Sequence, residues 1–297
     1  MVKGTPESKS ESNANYKFDY IGVLIFMVSI IGLQLYLTKG SDWGWTSPLS
    51  LGLIAVFVVF GLIFYKIETK SLNVFVDFDL FKNLTYTGAT ISNFLLNASA
   101  GIIIISLSLV QLGAGFTSQE AGLLTLGYAI AIVAFIRVGE KLLQRFGARK
   151  PMLWGSIIVC IAIALLMGTH VMTGTYKILG LIGFTLFGLG LAFYATPSTD
   201  AALANLPDSQ SGSGAGIYKM ASSLGAAIGV AVSASLFTAL SGSTEAYEWM
   251  NGLITFQGRQ DNLVIRQAAS IALGVNFLMV LLAIITIILT IPKHKKK

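Results

Sequence analysis

Long apolar runs separated by short polar gaps organise the chain from residue 20 to residue 292. The runs are Tyr20–Leu37, Pro48–Tyr65, Gly88–Gln111, Glu120–Val138, Met152–Met172, Ile178–Asp200, Gly214–Leu240 and Ala268–Pro292. Each is close to the roughly 20 residues that carry a helix across a bilayer. The pattern therefore predicts an all-α integral membrane protein with eight transmembrane helices. The gaps have their own characters. Residues 1–19 are rich in Ser, Asn and Lys and read as a polar tail without fixed structure, and they lack the apolar core and cleavage site of a signal peptide. Residues 67–87 mix aromatics with charge, which suggests an interfacial linker with Phe75, Phe78, Leu80 and Phe81 resting on headgroups. Residues 241–267 carry Glu245, Glu248, Arg259, Asp261 and Arg266, are too polar to span, and read as an external loop with Tyr247, Trp249 and Phe256 near the interface.

Composition agrees with a bilayer setting. Hydrophobic residues make up 54% of the chain, charged residues 11%, and the mean hydropathy is +0.74, whereas a soluble domain carries about 25% charged residues. A net charge of +6 raises nucleic acid as a partner, but no basic stripe with interleaved aromatics is present. The cations lie at helix ends instead. Fifteen of them fall in the segments 3–17, 66–82, 137–150 and 293–297, all on one side of the predicted topology. Only Lys39, Lys177, Arg259 and Arg266 fall on the other side. Positive charge marks the cytoplasmic face, so both termini are expected in the cytoplasm of a multi-pass cell-membrane protein. Cys160 lies inside an apolar run, and His170 and His294 are far apart without ligand-spaced partners. No disulfide framework, metal site or cofactor is expected. No nucleophile elbow, H-x-x-x-H or Walker sequence occurs, which argues against an enzyme or an ATP-driven pump.

Polar groups at membrane depth are costly and mark function, and this chain has few. No Asp or Glu is placed mid-span. Lys219 is the one ionisable residue inside a predicted span, and it either snorkels to the interface or faces a cavity. Asn93 and Asn97, four residues apart, share a helix face. They either line a pocket beside Phe94 or bond neighbouring helices. Tyr128, Tyr194 and Asn276 carry the same two readings. Gly183, Gly188, Gly190, Gly225 and Gly229 sit at spacings that allow close helix packing. Pro197, in Thr196–Asp200, is expected to break its helix near the basic end, where hydroxyls can serve the freed backbone groups. The loop Gly139–Pro151 sets Arg137, Lys141, Arg145, Arg149 and Lys150 against Glu140 alone. It is either a topogenic turn or a latch, with Gly147 free to take positive φ.

Several stretches together resemble the major facilitator superfamily, in particular its fourteen-helix drug:proton antiporters. The loop from Gly139 through Arg145, Gly147, Arg149 and Lys150 is similar to the second, degenerate copy of that superfamily's cytoplasmic motif. Gly188–Asp200 and Gly214–Gly229 look like the twelfth and thirteenth helices of the branch, and Phe78–Ala89 like the lead into the ninth. Met1–Ser8 resembles the cytoplasmic end of the sixth. The resemblance implies two central helices (20–66) followed by a six-helix C-terminal bundle (88–292) and a basic tail (293–297). A first six-helix bundle with the proton-handling carboxylate would be supplied elsewhere. It implies amphipathic, often cationic drugs as substrates, including quinolones, and a proton gradient as the energy source. The pocket wall would hold Asn93, Asn97, Tyr128, Tyr194 and Asn276, and a latch would use Arg145, Arg149 and Lys150 against helix C-termini or carboxylates. Two other readings stay open: a half-transporter without activity of its own, and an exporter of a lipid or metabolite.

Overall fold

The computed structural model describes residues 19–70, 76, 78–204, 206–243 and 245–293. The predicted N-terminal tail, apart from its last residue, and most of the basic C-terminal tail lie outside these residues, as does Phe75. Eight helices are long and apolar enough to cross a membrane, and no strand occurs among the described residues. We label them α1 (Tyr20–Trp43), α2 (Pro48–Glu68), α3 (Leu84–Gly113), α4 (Ser118–Phe146), α5 (Arg149–Leu166), α6 (Thr173–Leu203), α7 (Asp208–Ser241) and α8 (Leu263–Thr290). They run alternately up and down. The end holding the 147–150 loop is called the basic end, and the opposite one the far end.

Local chemistry sets the boundaries. Ser47 caps α2 by accepting from the Ser50 N–H at 3.2 Å, with Pro48 at the first helical position. The Asn83 side chain accepts from the Thr85 and Tyr86 amides, so α3 starts at Leu84, ahead of the apolar run. Thr117 and Glu120 form a reciprocal capping box at the start of α4. Gly147, at φ 70°, closes the last turn of α4 through its N–H to the Leu143 carbonyl at 2.8 Å. Two expectations change. Pro197 does not break its helix: α6 runs through it to Leu203, and Pro197 itself is buried. The missing N–H leaves the Phe193 carbonyl without its ladder donor, one bond that a helix packed closely on its neighbours tolerates. The end of the expected loop 241–267 is helical: residues 263–267 open α8, with Arg266 only 6% exposed.

The last six helices form one bundle with an internal symmetry. α4 packs along α6 as α7 packs along α3, and α5 lies on α6 as α8 lies on α3. The triplet α3–α4–α5 is thus repeated by α6–α7–α8, the nested repeat that bundle transporters use. Both inner seams are closed by missing side chains. A Cβ on Gly225 or Gly229 would sit 2.3 or 2.0 Å from the carbonyl oxygens of Phe94 and Ala98. On the other seam, a Cβ on Gly188 or Gly139 would sit 2.3 or 2.4 Å from those of Tyr128 and Ala192. With little hydrophobic drive between helices in lipid, such backbone approach is what van der Waals attraction rewards. Tyr86, Leu96, Ile102, Phe184, Phe187 and Leu273 fill the interior. Outward, residues such as Val133 and Leu289 are more than three-quarters exposed, a surface suited to hydrocarbon and not to water.

α1 and α2 form a hairpin that docks through α1 on α7, where Ser235 donates to the Leu37 carbonyl. Part of the expected interfacial linker packs on the bundle. Its 3₁₀ turn Phe78–Lys82 folds inward: Leu80 is 1% exposed, and rings step from Tyr65 and Phe64 through Phe78 and Phe81 to Tyr86 at 5.5–6.5 Å. These ring contacts join α2 to α3 through tilted and edge-on arrangements that aromatic pairs favour.

Candidate functional site

Where α3, α6 and α7 meet, the bundle carries a buried polar seam. Ser92 Oγ and Tyr194 OH are 2.7 Å apart, Tyr218 OH donates to Ser198 Oγ at 2.8 Å, and Asn93 Nδ2 donates to the Tyr218 carbonyl at 3.2 Å. Asn97 stands one turn above, its amide donating to the Asn93 carbonyl and to Asn93 Oδ1 at 2.8 and 2.9 Å. Asn93 is 5% exposed and Tyr194 2%, whereas Asn97 is only partly buried. The seam thus holds Asn97 at the surface with its amide oriented from below. Tyr128, half-buried on α4, stacks on Phe187 with centroids 5.5 Å apart. Asn276 is elsewhere: fully buried, it bonds Ser233 of α7 at 3.0 Å and the Ala272 carbonyl at 3.0 Å, so it ties α8 to α7. Of the five pocket candidates, the structure therefore joins Asn93, Asn97 and Tyr194 through one seam, puts Tyr128 on the neighbouring seam, and leaves Asn276 apart.

Lys219 is exposed. It shares its face of α7 with Gly212, Gly216, Ser223 and Ala227, all exposed, and within 4 Å of where a Cβ on Gly212 or Gly216 would stand there is nothing. This face is thin, weakly polar and carries one charge. Ser92, Ser198 and Tyr218 belong to the seam but do not stand out in the sequence. Their only signal is position: each neighbours a residue already singled out, Asn93, Pro197 or Lys219.

At the basic end the loop is built around Phe146. Arg145 and Lys150 lie over its ring at 5.2 and 5.5 Å, and Trp154 meets it edge-on at 5.2 Å. Arg149 instead donates to the Ile288 carbonyl at 2.8 Å, in the last turn of α8, where the helix dipole favours a cation. The arginine clips α5 to α8 within this bundle. Neither Arg145 nor Lys150 is in an ion pair among the described residues.

The far end holds a residue that the sequence pattern places in a loop. Arg266 donates to four carbonyls, those of Thr169, Val171, Gln257 and Arg259, at 2.7–3.1 Å, and lies over the Phe256 ring at 5.4 Å. It fastens the strap 252–262 to the turn between α5 and α6. Gln267 reinforces it by bonding both backbone groups of Tyr247. A buried arginine satisfied by neutral carbonyls has no sequence signature, because its partners are backbone.

Comparison with known proteins fits this arrangement. The Major Facilitator Superfamily model matches residues 89–297, all of the bundle but the first turn of α3. The chain belongs to the major facilitator superfamily. Superfamily relatives include the quinolone resistance protein NorB of Staphylococcus aureus strains MRSA252 and COL, each 42% identical over 294 residues. These alignments cover 99% of this chain and 59% of each relative, so the chain spans about three-fifths of their length. Among solved structures, the nucleoside transporter NupG is similar, with a TM-score of 0.52 and 17% identity over 89% of this chain and 64% of that one. That likeness speaks to the fold. As a multi-span member of a transporter superfamily, the chain is not an enzyme.

Proposed function

We propose that the chain is the C-terminal portion of a proton-coupled multidrug exporter whose substrates are amphipathic, often cationic drugs such as quinolones and quaternary dyes. The observation that carries this reading is the 42% identity to quinolone resistance proteins along 99% of the chain. The geometry is compatible. Superfamily transport proceeds by rocking two six-helix halves about a site between them, and this bundle offers a face of that kind. Asn97 presents an amide there, Tyr128 a ring, and α7 a thin stripe of small residues without cover from this chain. The partner half would be supplied by a second six-helix bundle, which would also bring the proton-handling carboxylate. With the basic end in the cytoplasm of the cell membrane, Arg145 and Lys150 are the cations left to meet carboxylates of that half, while Arg149 serves this one.

The test is energised ethidium efflux from cells stripped of their own pumps, with the chain expressed alone and then with an N-terminal six-helix half. Uncoupler-sensitive efflux that needs both parts supports the proposal. Efflux from this chain alone would overturn the two-half account, and no efflux from the combination would overturn the drug-exporter reading.

A further inference from the structure

Beneath the strap at the far end lies a cavity of about 30 Å³, between the end of α3, the α5–α6 turn and the starts of α6 and α8. Two polar side chains in its wall are more than nine-tenths buried and lack a protein partner for one atom each: the Tyr176 hydroxyl and Asn262 Oδ1. Asn262 is held in place, since its Nδ2 donates to the Gly113 carbonyl, so its oxygen is fixed in orientation. Ser106 Oγ, 2% exposed, lies deeper along α3 within hydrogen-bonding reach of the Tyr176 hydroxyl. Buried polar atoms are expensive to leave unbonded, and even with Ser106 on the Tyr176 oxygen, the Tyr176 O–H donor and Asn262 Oδ1 still face the cavity without a partner. The wall they share is unusual too. α3 finishes here in a π-helical turn, Leu109–Gly113, a form frequent at functional sites.

The cavity is not closed off. Thr173, Asn262 and Arg266 line both it and an outer groove of about 680 Å³. A water needs roughly 10–15 Å³ of such volume and two to four polar partners, so the cavity suits one or two waters and excludes a drug-sized guest. We propose that it is a water-binding site, a hydrated inlet through which water passes from the groove, between Asn262 and Arg266, to Tyr176 and Ser106 inside the bundle. The bound water donates to Asn262 Oδ1 and accepts from the Tyr176 hydroxyl, whose oxygen then accepts from Ser106. Arg266 keeps the mouth open and stays out of the chain of bonds, because carbonyls of the strap and turn already hold its guanidinium. The inlet does not depend on which drugs are carried or on which side the far end faces.

Hydroxyl-radical footprinting of the full chain in phosphatidylcholine vesicles tests it, because radicals form from bound water and mark the side chain beside it. Tyr176 is 5% exposed; Tyr86 and Tyr194, at 0% and 2%, are buried controls of the same chemistry with bonded hydroxyls. The expectation is that Tyr176 is oxidised roughly tenfold faster than Tyr86 and Tyr194, as a residue on an internal water would be. Equal rates for the three overturn the proposal. A second measurement uses Ser106→Cys in a Cys160→Ala background, read by silver-ion block of the introduced thiol. Reaction roughly tenfold faster than that of Cys160 in the parent supports a wet inlet, and an introduced thiol as inert as that of Cys160 overturns it.

Discussion

Replacing Gly229 with alanine places a methyl group 2.0 Å from the carbonyl oxygen of Ala98 and 2.4 Å from its Cα. Nothing there can swing aside, since both atoms are backbone of α3. To reach ordinary contact the two helices must part by roughly 1.5 Å, which also loosens the seam at Gly225 and Gly101. Overpacking of this kind costs about 1–3 kcal/mol. The same substitution at Gly216, on the uncovered face of the same helix, meets nothing within 4 Å. There alanine gains helix propensity, worth up to about 1 kcal/mol. The propensity gain is common to both sites on this helix, so the two variants should differ by about the overpacking cost, about 1–3 kcal/mol, with Gly229→Ala the less stable and Gly216→Ala neutral or better. Denaturant-midpoint shifts of the purified chain in micelles measure the difference. Equal shifts would refute the idea that backbone contact, and not glycine content, holds the bundle together. A bulkier residue at Gly216 carries the opposite prediction for the paired transporter: stability of this chain unchanged, efflux lost.

Gly147→Ala should cost about 1–3 kcal/mol, because φ 70° with ψ 176° is a backbone conformation almost confined to glycine, read as a lowered unfolding midpoint. Arg266→Lys should release the strap, since one ammonium cannot reach four carbonyls that a planar guanidinium spans; faster proteolytic nicking within 252–262 is the readout. Asn97→Ala in the two-half transporter should change the drug profile more than the expression level, and uniform loss of efflux together with protein would count against it. Hydrogen bonds from Arg259 hold the Asp261 carboxyl below its usual value. The pair therefore persists above the ordinary carboxylate range and is lost only as pH falls through the lowered value, so hydrogen exchange across 257–262 should be unchanged between about pH 7 and 5 apart from its intrinsic rate.

The spans were legible because bilayer thickness leaves a long apolar mark, and caps such as Asn83 and Thr117 shifted their ends by only a turn. The site was legible in part. Asn93 and Asn97 announced themselves as amides in an apolar run, and the basic loop as charge in a short gap. What the sequence concealed was partnership. Tyr194 and Asn276 look alike as isolated polar residues, yet one joins the seam below Asn97 and the other clips two helices together, a difference set by which helix lies opposite. Arg266 read as loop because a charge beside Asp261 and Arg259 looks solvated. Its partners are carbonyls, which every sequence carries and none displays. Pro197 misled for the opposite reason, since a breaker in water is tolerable in a helix gripped on several sides.

The docking of the hairpin has a mechanical consequence. α1 is bonded to α7, and α2 reaches α3 through the aromatic steps of the linker, so both hairpin helices are coupled to the six-helix bundle. In a rocking cycle they would travel with it as ballast. On the proposed two-half reading the moving body would carry eight helices where a plain half carries six, and it would sweep a larger annulus of acyl chains with each swing. Bilayer viscosity and thickness would accordingly weigh on its turnover more heavily than on that of a transporter without such a rider.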